Sequence, residues 1–348
     1  MKSRREMIGD LAMVASAAML GGCGARGRGF AATVGSRLAA PRFMWAYLAQ
    51  FGMKLWEKRC SNTDLKVDDS MWKSLTERAA QIGVNVFVID LAEGMVFPSH
   101  PELAVRGSWE PERMRDEVAR LKAMGMIAVP KLNFSSSHDQ WLGKWRPYLS
   151  TPEYFQVCSE LIDDVADVFD ETPLFNIGYD EESYFIQNVN KFQYVRLRRG
   201  ELWWHDFLWF VHEVERRGMR AWMWSDYCWH HPDFYERCPK SVLQSNWLYD
   251  KELVREKLKS GTPDTWDPAA AFDAYGKLEE ARFDQVPCGS TYLCRENFGN
   301  TVDYCRKLIP PERLKGFLMA PWYYGTQESC REKIMTSLDV MSEIICRN

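Results

Sequence analysis

The chain has 348 residues, 46% of them hydrophobic, and a formal net charge of -4. That length fits one large barrel or two smaller domains, and the charge gives no basic field to hold nucleic acid. Aromatic residues are the outlier: 15 Trp and 14 Tyr, with Trp224, Trp229, Trp247, Trp322, Tyr323 and Tyr324 near predicted strand ends. Flat apolar rings fill cores, and they also stack on sugar rings.

Lys2, Arg4 and Arg5 precede a mostly apolar run from Ile8 to Leu20. This run is too short for a permanent membrane span and has the pattern of an export signal. Ser3-Arg4-Arg5-Glu6-Met7-Ile8 resembles the twin-arginine motif, with Met7 in place of the usual Phe. Leu20-Gly21-Gly22-Cys23 resembles a lipobox, in which Cys23 becomes the lipidated first residue. The expectation is a signal and tether over 1–40 and one domain over 41–348. The product would be periplasmic or anchored at a bacterial cell envelope, with membrane contact only through a lipid on Cys23. Cleavage elsewhere before Ala40 is the alternative. No Cys-x-x-Cys pair occurs among the ten cysteines, so neither a zinc site nor a disulfide framework is expected.

From Pro41 onward the pattern repeats as amphipathic helix, glycine, short apolar strand. The first strand is predicted at Phe43–Leu48. A helix over Trp72–Ile82 stops at Gly83 before VNVFVIDL, and Glu110–Met124 stops at Gly125 before MIAVPKL. Thr151 caps a third helix with Pro152 in its first turn, and this helix leads into LFNIGYD. A fourth runs from Glu201 to Arg217, then Gly218 and MRAWMW. Further strands are predicted at Ser241–Trp247, Val286–Leu293 and Leu314–Trp322. Eight apolar strands alternating with helices in about 300 residues predict an α/β fold, a single-domain (β/α)8 TIM barrel. No Gly-rich nucleotide loop follows any strand, so no cofactor is expected.

The C-terminal strand ends of such a barrel carry its active site. Phe175–Ser183, FNIGYDEES, ends a strand in Asp180, Glu181 and Glu182 between Tyr179 and Tyr184. Paired carboxyls among rings suit glycoside chemistry, where one donates a proton and the other stabilises developing positive charge. Consecutive strand residues face opposite ways, so Asp180 and Glu181 share a site only if the strand turns irregular there. Other strand ends bring Asp90, Glu93, Asn133, His138, Trp224, Asp226, Asn246, Trp247, Tyr292, Glu296, Trp322 and Tyr323. Of the six histidines only His230 and His231 are adjacent, and no His-x-x-x-His pairs with a carboxylate, so no metal is expected.

These motifs, in order, resemble the family 20 glycoside hydrolases, the β-N-acetylhexosaminidases. Asn176-Ile177-Gly178-Tyr179-Asp180-Glu181 is similar to their fourth-strand motif, with Tyr179 replacing a glycine. His100–Trp109 resembles the family's loop after strand two, Ile127–His138 its third strand, and Trp222–Asp226 and Leu243–Trp247 two later strand ends. Departures are Asn133 for an aspartate, Lys131 for a glutamate, no match for the first-strand arginine, and Trp322-Tyr323-Tyr324 without the last-strand acid. The small domain that usually precedes the barrel is not expected between the export signal and the first strand. The resemblance implies a glycan substrate and substrate-assisted retaining hydrolysis of β-linked N-acetylhexosamines. It makes Glu181 the general acid and base, with its pKa raised, and Asp180 the residue that orients the acetamido group. His138, Asn133, Trp224, Asp226, Trp247 and Trp322 would bind substrate, with Tyr292 supplying a hydroxyl to the acetamido oxygen. Two alternatives stay open. One is another exo-glycosidase that pairs Glu181 with Asp90, Asp226 or Glu296; the other is a glycan-binding surface lipoprotein without turnover. Nothing in the sequence specifies an oligomeric state.

Overall fold

A computed structural model describes residues 37–54, 63–262, 266–323 and 325–347. The export motif and Cys23 lie outside the described residues. Eight strands run parallel: β1 (Met44–Gln50), β2 (Val86–Asp90), β3 (Ile127–Lys131), β4 (Leu174–Gly178), β5 (Arg220–Trp224), β6 (Leu243–Ser245), β7 (Cys288–Gly289) and β8 (Gly316–Met319). Their hydrogen-bonded order is β6-β5-β4-β3-β2-β1-β8-β7. The ring closes where Val286 N–H donates to Gln244 O at 2.8 Å and Cys288 N–H donates to Asn246 O at 2.9 Å. The chain is therefore a (β/α)8 barrel, as the alternation predicts.

The helices follow from caps and stripes. Helix α1 (Asp69–Gln81) starts at Asp68, whose carboxylate accepts from the N–H groups of Ser70 and Met71. α2 is Pro111–Ala123, and α3 (Pro152–Val168) is capped by Thr151, as expected. Cys158 lies in the buried stripe of α3 as a small hydrophobe. Gly83, Gly125 and Gly218 leave their helices at φ 92°, 85° and 74°, where a side chain would be strained. A short α4 (Tyr184–Val189) separates β4 from α5 (Glu201–Arg216). α6 (Phe234–Arg237), α7 (Pro268–Glu280), α8 (Asn297–Leu308) and α9 (Arg331–Arg347) complete the outer layer. Among the described residues no helix is long and apolar enough to cross a membrane.

Two hydrophobic cores result. One packs the outward strand faces against the helices. The other fills the barrel with alternate residues, including Ala46, Leu48, Val86, Val88, Val129, Trp222 and Leu318. The last three strands are shorter than the sequence suggests. β7 stops at Gly289, and Ser290 Oγ then accepts from Tyr292 N–H at 3.0 Å, turning the chain out of the sheet.

Candidate active site

β4 ends irregularly. Its register against β5 shifts between Asn176 and Gly178. Gly178, Tyr179 and Glu181 then take φ of 66°, 74° and 55°, in the left-handed region. This break brings the consecutive acids Asp180 and Glu181 to one site, the condition the sequence required. Non-glycine residues there cost roughly 1–3 kcal/mol each and persist only where the surroundings enforce them. Tyr179, 1% exposed, packs 5.3 Å from Trp203 and 5.4 Å from Phe207, with the Arg198 guanidinium 4.5 Å above its ring. Gly178 has no such freedom of identity, since a Cβ would lie 2.3 Å from Asn133 Cγ.

Asn133, 2% exposed, organises the acids. Its Oδ1 accepts from the N–H groups of Ser135 and Tyr179, each at 3.1 Å. Those two bonds fix the amide, so Nδ2 donates to Asp180 Oδ1 at 2.7 Å. His138 Nε2 lies 3.1 Å from Glu181 Oε2 and 3.5 Å from Asp180 Oδ2. Burial alone would push the imidazolium pKa down, but Asp180 and Glu181 outweigh it and hold it above its ordinary value. Asp226 Oδ2 accepts from Glu181 N–H at 2.8 Å, while its Oδ1 is buried without a partner among the described residues. Burial, and then the Asp180 charge, raise the Asp226 carboxyl well above the usual range. Atoms of His138, Asp180 and Glu181 all lie within 4.8 Å of one another, a spacing a cation could bridge.

The third carboxylate of the run has another role. Glu182 receives Arg198 Nε at 2.9 Å and Nη2 at 2.6 Å, with both side chains at 2% exposure or less. It also accepts from Ser136 N–H at 3.2 Å, tying the β3 and β4 loops together. Glu296, half exposed and paired with Lys251, stands apart from the cluster.

Below the acids the inward-facing alternation of the strands continues into polar residues: Gln50, Asp90, Lys131 and Asn176, at the tops of β1 to β4. Lys131 Nζ donates to Asp90 Oδ2 at 2.6 Å, with 1% and 0% exposure. Burial outweighs the lysine and raises the Asp90 carboxyl. Gln50 Nε2, Asp90 Oδ1, Asn176 Nδ2 and Trp224 Nε1 have no partner among the described residues. Neither Lys131, a departure from the family pattern, nor Gln50 stands out in the sequence as a site residue. Their signal was a polar residue in phase with the barrel interior.

Aromatic rings form one wall. Trp224, inside the barrel, lies 5.6 Å from Trp322. Trp322 Nε1 donates to Tyr249 Oη at 2.9 Å, and Tyr249 stacks on Trp247 at 5.2 Å. Tyr249 thus brings a phenol into this aromatic wall. Tyr292 is 54% exposed, because the strand thought to carry it ends at Gly289. A cleft of about 420 Å3 opens beside Glu181 and Asp226, lined by Tyr227, Trp229, Trp247 and Trp266. His230 and His231 also line it. His231 lies flat on Tyr227 at 3.7 Å, its Nδ1–H donating to the Tyr227 carbonyl at 2.8 Å.

Comparison with solved structures places this barrel among family 20 folds. The GH20 exo-β-N-acetylglucosaminidase of Vibrio harveyi, solved with N-acetylglucosamine, is 14% identical with a TM-score of 0.60 over 88% of this chain and 54% of its own. The GH20 β-N-acetylhexosaminidase of Streptomyces coelicolor A3(2) is 11% identical with a TM-score of 0.62, covering 87% and 64%. That of Bacteroides fragilis is 12% identical with a TM-score of 0.59, covering 86% and 66%. The chain thus spans about half to two thirds of the length of these structures, and at such identities the likeness is one of fold. No protein-family model and no curated protein matches the chain.

Proposed function

We propose that the protein is a glycoside hydrolase that removes β-linked N-acetylhexosamine from glycan ends with retention. The reading rests on the cluster in which Asn133 steadies Asp180 while His138 meets both Asp180 and Glu181. Asp180 orients the substrate's acetamido group, whose oxygen attacks the anomeric carbon. The glycosidic C–O bond breaks as Glu181 gives its proton to the leaving oxygen. Glu181 then removes a proton from water as that water opens the cyclic intermediate, which restores the acid. The buried polar floor of Gln50, Asp90, Lys131 and Asn176 lies below, with Trp224, Trp247, Trp322 and Tyr249 as walls. Asp226 accepts from the Glu181 N–H and so holds that backbone in place.

Inhibition by a thiazoline mimic of the intermediate, with turnover of an aryl N-acetylhexosaminide lost in Glu181→Gln, is the expected result. Turnover indifferent to the thiazoline would favour another exo-glycosidase mechanism, and no turnover at all would favour a glycan-binding protein. The motifs of residues 1–40 support export and lipidation at Cys23. Fatty-acid labelling that survives Cys23→Ser would refute lipidation.

A further inference from the structure

The polar floor below the acids is rich in hydrogen-bond donors and poor in acceptors. Gln50, Asp90, Lys131 and Asn176 stand in one register across β1 to β4. With Trp224, all of them are at 5% exposure or less. Asn176 Oδ1 accepts from Gly178 N–H at 2.8 Å, which fixes the amide and leaves Nδ2 a donor without a partner among the described residues. Trp224 Nε1 can only donate, and it has no partner there either. The Lys131 ammonium carries three donors, of which Asp90 takes one. Against these stands the unpartnered acceptor Asp90 Oδ1. Buried donors left unpaired are costly, so a cluster of them marks a place that a ligand or water fills. The floor adjoins the acid cluster, since the charges of Asp180 and His138 act on the Asp90 carboxyl. Departures from the family pattern point the same way. Lys131 for a glutamate, Asn133 for an aspartate and a last strand without its acid each remove a carboxylate acceptor.

We infer that the floor reads an oxyanion on the terminal sugar, so that the substrate is an N-acetylhexosamine bearing a sulfate ester or a carboxylate. The inference rests on the roles proposed for Asp180 and Glu181. With the anomeric carbon at Glu181 and the acetamido group at Asp180, the opposite edge of the ring, at C3, C4 and C6, is what reaches the floor. A hydroxyl there brings its own proton and needs an acceptor, which the floor offers only at Asp90. A sulfate or carboxylate accepts without donating, and it takes the Asn176 amide, the Trp224 indole and the Lys131 ammonium together. Lys131 also supplies the opposite charge that a buried anion requires.

The test compares kcat/KM for nitrophenyl β-glycosides of plain N-acetylglucosamine, of its esters sulfated at C3, C4 or C6, and of its C3 lactyl ether, which carries a carboxylate. The ester and ether arms tell the two oxyanions apart. The wild type should prefer at least one anionic glycoside to the plain one. Trp224→Phe, which keeps a ring and removes the donor, should lower that preference by roughly two- to tenfold. Lys131→Met combined with Asp90→Asn, which strands no buried charge, should lower it by roughly ten- to a hundredfold. Thermal melts check that each variant folds, and Trp224→Phe decides alone if the double variant does not. Calorimetric titration of Glu181→Gln with the free sugars reads the same preference without turnover. If no glycoside is hydrolysed but an anionic sugar binds more tightly than the plain one, and the variants weaken it, the catalytic reading fails and the oxyanion site stands. Plain glycoside hydrolysed at least as well as every anionic one overturns the oxyanion site and leaves the catalytic reading in place. A preference unmoved in every variant that folds also overturns the site, and neither turnover nor binding overturns both.

Discussion

Replacing Asn133 with Asp separates two things that residue does. The aspartate still accepts from the Ser135 and Tyr179 N–H groups, but it has no donor for Asp180, 2.7 Å away. Two carboxylate charges at 2.7 Å repel by about 6 kcal/mol at an effective dielectric of ~20, an upper bound, so the pair keeps one proton instead. One folded-state carboxyl pKa therefore rises above its unfolded value near 3.9. Between those values the folded state binds more protons than the unfolded state, so stability falls as pH rises, by about 1.4 kcal/mol per pH unit. Asn133→Asp should then melt close to wild type near pH 4 and progressively below it towards pH 8. A loss of about 2–4 kcal/mol corresponds to roughly 4–10 °C for a domain of this size. Asn133→Ala differs: it strands two backbone N–H groups at about 1–3 kcal/mol each, a cost present across the pH range. Thermal melts of the three proteins from pH 4 to 8 read the contrast. If the Asn133→Asp deficit is flat or shrinks with rising pH, Asn133 is not the donor that steadies Asp180.

Four further outcomes are expected. Glu181→Gln should harm substrates with poor leaving groups far more than activated aryl glycosides, by a margin within the ~10²–10⁴-fold worth of general acid help, whereas Asp180→Asn should harm both alike; the reverse pattern in steady-state kinetics would swap their roles. Tyr179→Gly should relieve about 1–2 kcal/mol of left-handed strain but lose about 4–6 kcal/mol of ring burial, giving a net loss of about 2–5 kcal/mol in urea unfolding; a more stable variant would show the ring contributes little. Because the folded pKa of His138 is raised, its pairing stabilises the protein fully below about pH 6.5 and loses that effect as pH rises through the folded value. The stability gap between wild type and His138→Gln should accordingly narrow in melts above neutral pH, and a widening gap would reverse the sign. Turnover should survive exhaustive chelation; loss restored by a divalent ion would assign the His138, Asp180 and Glu181 cluster to a metal.

The barrel was legible in the sequence because its determinants are local. Helix stripes, the Thr151 cap and the glycines after helices each act within a few residues, and strand alternation needs no partner to be read. Asp180 and Glu181 were legible for the same reason, as acids closing an apolar strand. What the tertiary structure decided was which polar groups meet. Glu182 looks like its two neighbours in sequence, yet Arg198 claims it as a strut. Tyr292 lies exposed because β7 ends at Gly289, where pairing stops. Tyr249 reaches the wall only through Trp247 and Trp322, distant strand ends that ring closure brings together. Gln50 and Lys131 lie 81 positions apart in the chain and share the barrel floor because parallel register aligns them, Gln50 opposite Asp90 and Asp90 opposite Lys131. Periodicity is a property of neighbouring residues; a site is assembled from strand ends whose proximity depends on closure and register, and no local pattern carries that information.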